Sequence, residues 1–198
     1  MTISMMNLNK AYWDKKYALN KTVWDIGYIS PPLRAYIDQL TDKEIKILIP
    51  GAGNGYEVDY LFYKGFTNIH VIDIASQPLE NLKARIPSFP DGQLIQKDFF
   101  ELENHRFDLI LEQTFFCSLE PSYRKAYAMK MHGLLNEKGK LVGLLFDRTF
   151  KDGGPPFGGN EGEYRRLFNP YLSIKVLERA YNSIKPRKGN ELFFIFEK

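Results

Sequence analysis

The chain has 198 residues, of which 44% are hydrophobic and 26% charged, and its formal net charge is +3 at pH 7. This length and composition predict a globular protein with a full hydrophobic core. The charge is too small and too scattered to mark a nucleic-acid-binding surface, so we expect no nucleic-acid partner. The single cysteine, Cys117, excludes an internal disulfide and a cysteine metal cluster, and no metal is predicted.

Targeting and membrane signals are missing from the sequence. The N-terminus lacks the basic region and apolar run of a signal peptide, and no apolar stretch approaches the roughly 18 residues of a membrane span. We therefore expect a cytoplasmic protein without a membrane partner, acting as a monomer or a weak homodimer.

Residues 1–198 are predicted to form a single domain, in which residues 1–40 are an added N-terminal cap and residues 41–198 are the core. Strand signals in the core cover residues 45–50, 69–74, 93–96, 107–112, 140–146, 173–178 and 191–197. Helix signals cover residues 57–63, 78–85, 122–135 and 161–168. Strands that alternate with helices in this way predict an α/β fold, with a doubly wound, mostly parallel sheet and helices on both faces.

A glycine-rich turn follows the first strand, in the sequence Ile-Pro-Gly-Ala-Gly-Asn-Gly of residues 49–55. A dinucleotide fingerprint needs a tiny residue five places after the first glycine, where this chain has Tyr56. The spacing resembles the first motif of class I methyltransferases, which bind S-adenosylmethionine. A plain loop is one alternative, and a nicotinamide-dependent oxidoreductase is another, which Tyr56 disfavours.

Acidic residues follow the second and third strands. Asp73 lies 22 residues after Gly51 and ends a strand, so its carboxylate is placed to accept the hydroxyls of a ribose. Asp98 is a candidate acceptor for an adenine amino group, and Phe99 is a candidate cover for the adenine ring. For these two residues, a solvated carboxylate beside a core aromatic is an equally good interpretation.

The segment after the fourth strand, residues 111–119, is expected to face the methyl acceptor. It lacks the [DN]-P-P-[YF] signature of enzymes that methylate amino groups of nucleic acids. A similar Asn-Pro-Tyr at residues 169–171 falls beyond the fifth strand, where it predicts the end of a helix. We therefore expect a small-molecule acceptor.

Six segments carry distinctive motifs: residues 13–17, 23–27, 50–58, 115–121, 153–157 and 186–189. These motifs resemble those of the thiopurine methyltransferase-like family and, within it, of plant halide and thiol methyltransferases. The resemblance covers most of the chain. It implies a seven-stranded, Rossmann-like class I methyltransferase fold with an N-terminal helical lid over S-adenosylmethionine.

The resemblance also implies roles for single residues. Trp13, Tyr17 and Trp24 would be lid aromatics that line the cofactor, with Tyr17 where the family usually has tryptophan. Anchoring of an N-terminal helix is the alternative for the two tryptophans. The other implied cofactor contacts are Gly51, Gly53, Asp73, Asp98, Phe99 and Glu112.

The predicted activity is transfer of a methyl group from S-adenosylmethionine to a thiol, bisulfide, halide or thiocyanate by in-line displacement, with S-adenosylhomocysteine as the product. A non-catalytic S-adenosylmethionine-binding protein is the alternative. Because methyl transfer needs no covalent enzyme intermediate, no residue is assigned as catalytic, and Cys117 is expected to be a packed side chain. Candidates for the acceptor pocket are Gln113, Thr114, Phe116, Arg148 and Arg187.

The acceptor segment departs from the plant halide enzymes at three positions. Those enzymes usually have aspartate, tyrosine and valine where this chain has Glu112, Gln113 and Thr114. A more polar wall favours a larger or hydrogen-bonding acceptor over a halide. Arg148, Arg187 and Lys188 are candidates for attracting an anion, with exposed solubilising charge as the alternative.

Overall fold

The structure is a computed structural model that describes residues 8–151 and 153–198. Residues 1–7 of the predicted N-terminal cap, together with Asp152, lie outside the described residues. The α-helices are α1 Lys10–Ala18, α2 Pro31–Ile37, α3 Tyr56–Tyr63, α4 Gln77–Arg85, α5 Arg124–Leu134 and α6 Glu161–Phe168. The first two helices come before the sheet, where the sequence shows no strand signals.

A seven-stranded sheet forms the centre of the protein. Its strands are β1 Ile47–Pro50, β2 Ile69–Asp73, β3 Leu94–Gln96, β4 Phe107–Gln113, β5 Leu135–Phe146, β6 Ser173–Arg179 and β7 Glu191–Glu197. The spatial order is β3-β2-β1-β4-β5-β7-β6. Strand β7 runs antiparallel to β5 and β6, and the pairs among β1 to β5 are parallel. The predicted α/β fold with a mostly parallel seven-stranded sheet is confirmed.

The strand order reverses between β1 and β4. From β1 the chain proceeds outward through β2 to β3, and it then returns to β4 on the other side of β1. In doubly wound sheets this arrangement opens a crevice at the carboxyl ends of the two central strands, and ligands bind there.

Two hydrophobic cores cover the two faces of the sheet, because successive side chains of a strand point to opposite faces. Ile47 and Ile49 of β1 belong to one core, to which helices α2, α3 and α4 contribute. Leu48 belongs to the other core, together with buried side chains of α5 and α6. Central strands buried on both faces explain the continuous apolar run that precedes the glycine turn.

The largest boundary difference lies between α5 and β5. Strand β5 was expected from residue 140 after a turn at residues 137–139, but it begins at Leu135. Phe107 pairs with Leu135 and Leu109 pairs with Lys140, so β5 carries extra residues between these two pairs. Lys138 adopts a left-handed φ of 64° within them. The turn therefore exists as an irregularity inside a longer strand.

Within residues 8–151 and 153–198, none of the helices combines the length and the apolar character that a bilayer span needs.

Gly143 on β5 is required by its neighbour on β4. It pairs with Glu112, and a Cβ at this position would stand 2.2 Å from the Glu112 carbonyl oxygen and 2.5 Å from the Glu112 Cβ. We predict that Gly143→Ala lowers the free energy of unfolding by about 1 to 3 kcal/mol, because the strands must separate to admit the methyl group. Urea unfolding followed by circular dichroism measures this.

Gly133→Ala, near the end of α5, is the matched control. A Cβ there meets no atom within 4 Å, so the change is expected to be neutral or to stabilise the protein by up to about 1 kcal/mol. Equal free energies of unfolding for the two variants would contradict the close contact between β4 and β5.

Candidate functional site

A cavity of about 810 Å³ lies at the carboxyl ends of β1, β2 and β4. Its wall includes residues of the glycine turn, the ends of β2 and β4, helix α1 and the segment that follows α1. This volume is within the range of small-molecule sites, about 300 to 1,000 Å³. The cavity therefore occupies the crevice that the sheet topology predicts.

The glycine turn forms the floor of this cavity. Gly51, Gly53 and Gly55 have φ values of 64°, 52° and 67°, in the left-handed region that other residues rarely adopt. A Cβ on Gly51 would stand 2.5 Å from the Phe115 ring. The missing side chain at Gly51 thus lets the segment after β4 pack directly on the turn.

Asp73 is the last residue of β2 and lines the cavity although it is only 8% exposed. Its Oδ1 accepts a hydrogen bond from the Ala75 backbone N–H at 2.9 Å. Burial raises the pKa of Asp73 to about 6, against the opposing effect of nearby backbone N–H groups. A carboxylate so placed can accept the two hydroxyls of a vicinal diol, which restore hydrogen bonds that burial removes.

Asp98 and Phe99 both line the cavity beyond β3. Asp98 Oδ1 accepts from the Phe100 N–H at 2.8 Å and so caps a short 3₁₀ turn. The Phe99 ring is 4% exposed and lies edge-on to Phe115, with the ring centroids 5.2 Å apart. Phe99 is thus a core aromatic that also lines the cavity.

Three aromatic side chains of the N-terminal segment lie on the other side of the cavity. Trp24 packs edge-on against Trp13 and Tyr17, with ring centroids 5.6 Å and 5.7 Å apart. The Trp13 indole donates to the Leu8 carbonyl at 3.1 Å. Burial, with a smaller contribution from Asp73, raises the pKa of the Tyr17 phenol. The three predicted lid aromatics therefore form one cluster facing the turn.

Long-range hydrogen bonds join the segment around Trp24 to the rest of the site. Arg187 donates from Nη2 to the Trp24 carbonyl at 2.8 Å, across 163 positions of sequence. The Asp25 carboxylate accepts from the Asn54 side-chain amide in the glycine turn. No role was predicted for Asp25, and the only signal for it in the sequence is its place in the 23–27 motif.

Gln113 and Thr114 of the acceptor segment both line the cavity. Thr114 adopts a left-handed φ of 61°, which is strained for a β-branched residue. Cys117 is buried, and its thiol donates to the Thr114 carbonyl at 3.2 Å. Burial, mainly, raises the pKa of this thiol, which suits a packed side chain better than a nucleophile.

Three predicted site residues are not among the residues that line the cavity. Glu112 is fully buried beneath the acceptor segment, because its carboxylate binds the Phe115 and Phe116 N–H groups. Phe116 is 1% exposed and packs in the core against Tyr127 and other aromatics. Lys188 is exposed and is not among the cavity-lining residues.

Arg148 and Arg187 both reach the cavity wall, in different environments. The Arg187 side chain is 12% exposed and pairs with the buried Glu191 at 3.3 Å. Arg148 is more exposed, and its guanidinium lies 4.7 Å from the centre of the Phe150 ring. Arg187 is therefore fixed in the wall, while Arg148 presents its charge at the edge of the cavity.

Glu57 is a cavity residue that the sequence analysis did not identify. It is 8% exposed and accepts from the Ser30 N–H at 3.4 Å. Burial raises its pKa. Its signals in the sequence were its position directly after the turn and its place in the 50–58 motif. Among the described residues, no group of three or more His, Cys, Asp or Glu side chains is arranged to hold a metal ion.

Comparison with known proteins places this site in a family. Residues 8–198 match the family model described as thiopurine S-methyltransferase (TPMT). Probable thiol methyltransferase 2 of Arabidopsis thaliana is 30% identical over 187 residues, which cover 90% of this chain and 81% of that protein. Thiocyanate methyltransferase 1 of Brassica oleracea is 31% identical over 190 residues, which cover 90% of this chain and 81% of that protein.

A solved structure shows the same fold. The 1,6-didemethyltoxoflavin-N1-methyltransferase of Burkholderia thailandensis, with bound 1,6-didemethyltoxoflavin and S-adenosylhomocysteine, matches with a TM-score of 0.75 and 18% identity. The match covers 96% of this chain and 86% of that one. This likeness concerns the fold. The family match over residues 8–198, with two relatives at least 30% identical, confirms the resemblance found in the sequence: the chain belongs to the thiopurine S-methyltransferase family.

Proposed function

We propose that this protein transfers the methyl group of S-adenosylmethionine to a small soft nucleophile, namely a thiol, bisulfide, halide or thiocyanate. The observation that carries the proposal is Asp73, a buried carboxylate that faces the cavity beside the glycine turn, in a chain of this family. The names of the plant relatives, a thiol and a thiocyanate methyltransferase, support the same class of acceptor.

The cofactor site is assigned from the ends of three strands. Asp73 accepts the ribose hydroxyls, Gly51 and Gly53 let the backbone approach the cofactor, and Asp98 with Phe99 holds the adenine. The lining of the cavity by all five residues supports this assignment. Tyr56, in place of the small residue of a dinucleotide fingerprint, disfavours a nicotinamide cofactor.

The N-terminal segment is proposed to act as a lid, with residues 1–40 as cap and residues 41–198 as core of one domain. Its aromatics face the cavity, where a sulfonium cation near their faces is stabilised by about 0.5 to 2 kcal/mol. Arg187 and Asn54 hold the segment from two sides, through the Trp24 carbonyl and the Asp25 carboxylate. Closure of the lid excludes water from the reacting groups.

Methyl transfer by in-line displacement needs little chemistry from the side chains of the protein. When bound, S-adenosylmethionine supplies an electrophilic methyl group, which the nucleophile takes by in-line displacement while the bond to sulfur breaks. The protein contributes orientation, which supplies on the order of 7 to 11 kcal/mol. It also contributes desolvation of the anion. Arg148 and Arg187 attract the anionic acceptor, which favours the thiolate over the thiol.

The acceptor wall carries polar groups next to aromatic ones. The cavity lining includes the polar Gln113, Thr114 and Arg148 as well as the aromatic Phe146 and Phe150. The Gln113 Oε1 atom is buried without a hydrogen-bond partner among the described residues. This wall favours an acceptor larger than a halide.

Composition and motifs further support a cytoplasmic monomer or weak homodimer that acts on a small molecule and not on nucleic acid.

Turnover is the direct test. With S-adenosylmethionine and a panel of bisulfide, iodide, thiocyanate and aromatic thiols, we expect a methylated product and S-adenosylhomocysteine, detected by mass spectrometry. Tight cofactor binding without product from any acceptor would favour the non-catalytic binding protein. Thermal stabilisation by NAD in place of S-adenosylhomocysteine would favour an oxidoreductase.

Asp73→Ala tests the ribose contact. We expect its affinity for S-adenosylhomocysteine, measured by calorimetry, to fall by about 2 kcal/mol or more, because charged hydrogen bonds to the hydroxyls are lost. Asp91→Ala, at a side chain that is 86% exposed, should change the affinity little. Hydroxyl donors favour the ionised carboxylate. The affinity of the wild type for S-adenosylhomocysteine should therefore weaken as the pH falls through about 6, the pKa of Asp73 in the protein without ligand. An unchanged affinity in Asp73→Ala would refute the assignment.

Trp24→Ala tests the lid. Loss of the ring removes two edge-on aromatic contacts and one wall of the cofactor site, and we expect the dissociation constant to rise by about tenfold. Leu19→Ala is the control, because Leu19 directly follows α1, is exposed and does not line the cavity. Equal dissociation constants for both variants would argue that the aromatic cluster only anchors α1.

A further inference from the structure

A carboxylate without a counter-charge lies at the end of β4. Glu112 is 0% exposed, and none of the ion pairs within residues 8–151 and 153–198 involves it. Burying an ionised group is unfavourable unless other groups replace its lost hydration. The arrangement around Glu112 therefore needs a reason beyond packing.

Three neutral donors replace the water around this carboxylate. Oε1 accepts the backbone N–H groups of Phe115 and Phe116, both at 2.8 Å. Oε2 accepts the Tyr127 hydroxyl of α5 at 2.6 Å. Two of the three donors thus belong to the backbone of the acceptor segment, three and four residues after Glu112 itself.

These bonds hold the acceptor segment in a strained conformation. Between Glu112 and the two N–H groups the chain turns through Thr114, whose φ is 61°. A left-handed threonine persists only where its surroundings determine the conformation. Gln113 and Thr114, the residues inside this turn, line the cavity. The carboxylate therefore determines how these two residues face the acceptor.

The same turn fixes the distance between the acceptor segment and the cofactor turn. Phe115 packs on Gly51 so closely that a Cβ there would stand 2.5 Å from its ring. On the opposite side, Gly143 leaves the space that Glu112 occupies. Glu112 thus packs against Gly143 of β5, and through the Phe115 N–H it is linked to the ring that packs on the glycine turn.

We propose that Glu112 is a positioning residue for methyl transfer, whose carboxylate holds residues 113–116 so that the acceptor lies in line with the methyl group. The inference rests on the proposed function and adds to it a residue that touches neither reactant. In its ionised form the buried Glu112 carboxylate is unfavourable for the fold. Burial raises the pKa of Glu112 to about 7.

The raised pKa of Glu112 makes the folded protein less stable at high pH than at low pH. Because the pKa is higher in the folded protein than the ordinary value of 4.5, the folded state binds the proton more tightly. Stability is therefore lost as the pH rises from about 4.5 to about 7, and the loss remains above that. Glu112→Gln, which cannot ionise, should be at least as stable as the wild type at pH 8.

The test compares Glu112→Gln with the wild type in the full chain at saturating S-adenosylmethionine. The acceptor is one that stays anionic throughout, such as thiocyanate, iodide or an electron-poor aromatic thiol. We expect kcat of the variant at pH 8 to fall at least tenfold, with the dissociation constant of S-adenosylhomocysteine within threefold. An amide is a weaker acceptor for the two N–H groups than a carboxylate.

The pH profile separates positioning from a general effect on folding. Wild-type kcat should decline as the pH falls through about 7, because the carboxylate takes up a proton, and Glu112→Gln should show no such decline. The titratable groups facing Glu112 are Tyr127 of α5 and Cys117 of the following turn. Burial raises the pKa of both, so neither ionises in this range. From β5, Gly143 adds no charge.

Asp108→Asn is the matched control, because Asp108 is a carboxylate on the same strand at its other end. It accepts from the Lys46 N–H at 2.9 Å and the Asn136 amide at 2.7 Å, away from the cavity. We expect this variant to keep wild-type kcat and its pH profile.

Tyr127→Phe decides the matter if Glu112→Gln does not fold. It removes one donor and leaves the carboxylate, so the decline in kcat should move to higher pH. An unchanged kcat and profile in Glu112→Gln, or an unmoved profile in Tyr127→Phe, would overturn the inference while leaving the proposed function intact. A wild type that methylates no acceptor would overturn both.

Discussion

The contact between Gly51 and Phe115 is the constraint on which the rest of the site depends. In-line displacement requires the nucleophile, the methyl carbon and the leaving sulfur on one axis, so the cofactor and acceptor segments must lie at a fixed distance. Here that distance is set by backbone packed against a ring, with no room for a Cβ on Gly51. Because the contact joins the ends of β1 and β4, it lies where the strand order reverses.

Three buried carboxylates lie in the first turn of α3 and at the ends of β2 and β4, and each is held by backbone or hydroxyl donors. Asp73 accepts from Ala75, Glu112 from the acceptor segment and Tyr127, and Glu57 from Ser30. Burial raises the pKa of all three. Such groups reduce stability but determine local geometry, a compromise typical of functional sites. Methyl transfer benefits from this compromise, because its rate depends on orientation more than on acid–base chemistry.

The N-terminal segment completes the site from outside the sheet. Its helix α1 has no buried residue and packs through Trp13 and Tyr17 against Trp24. The segment around Trp24 is in turn held by Arg187, Asn54 and Tyr56. An element held by few contacts can open at a small free-energy cost, as the proposed lid requires.

The sequence by itself determined the order of strands and helices, the glycine turn and the acidic residues at the strand ends. These are local features, because periodicity and turn chemistry act over a few residues. Only the tertiary structure decided which side chains at the end of β4 face the cavity. The left-handed Thr114 breaks the alternation there and buries Glu112 and Phe116. The bond between Arg187 and Trp24 spans 163 positions, and no local pattern predicts it, because chain folding alone brings these residues together.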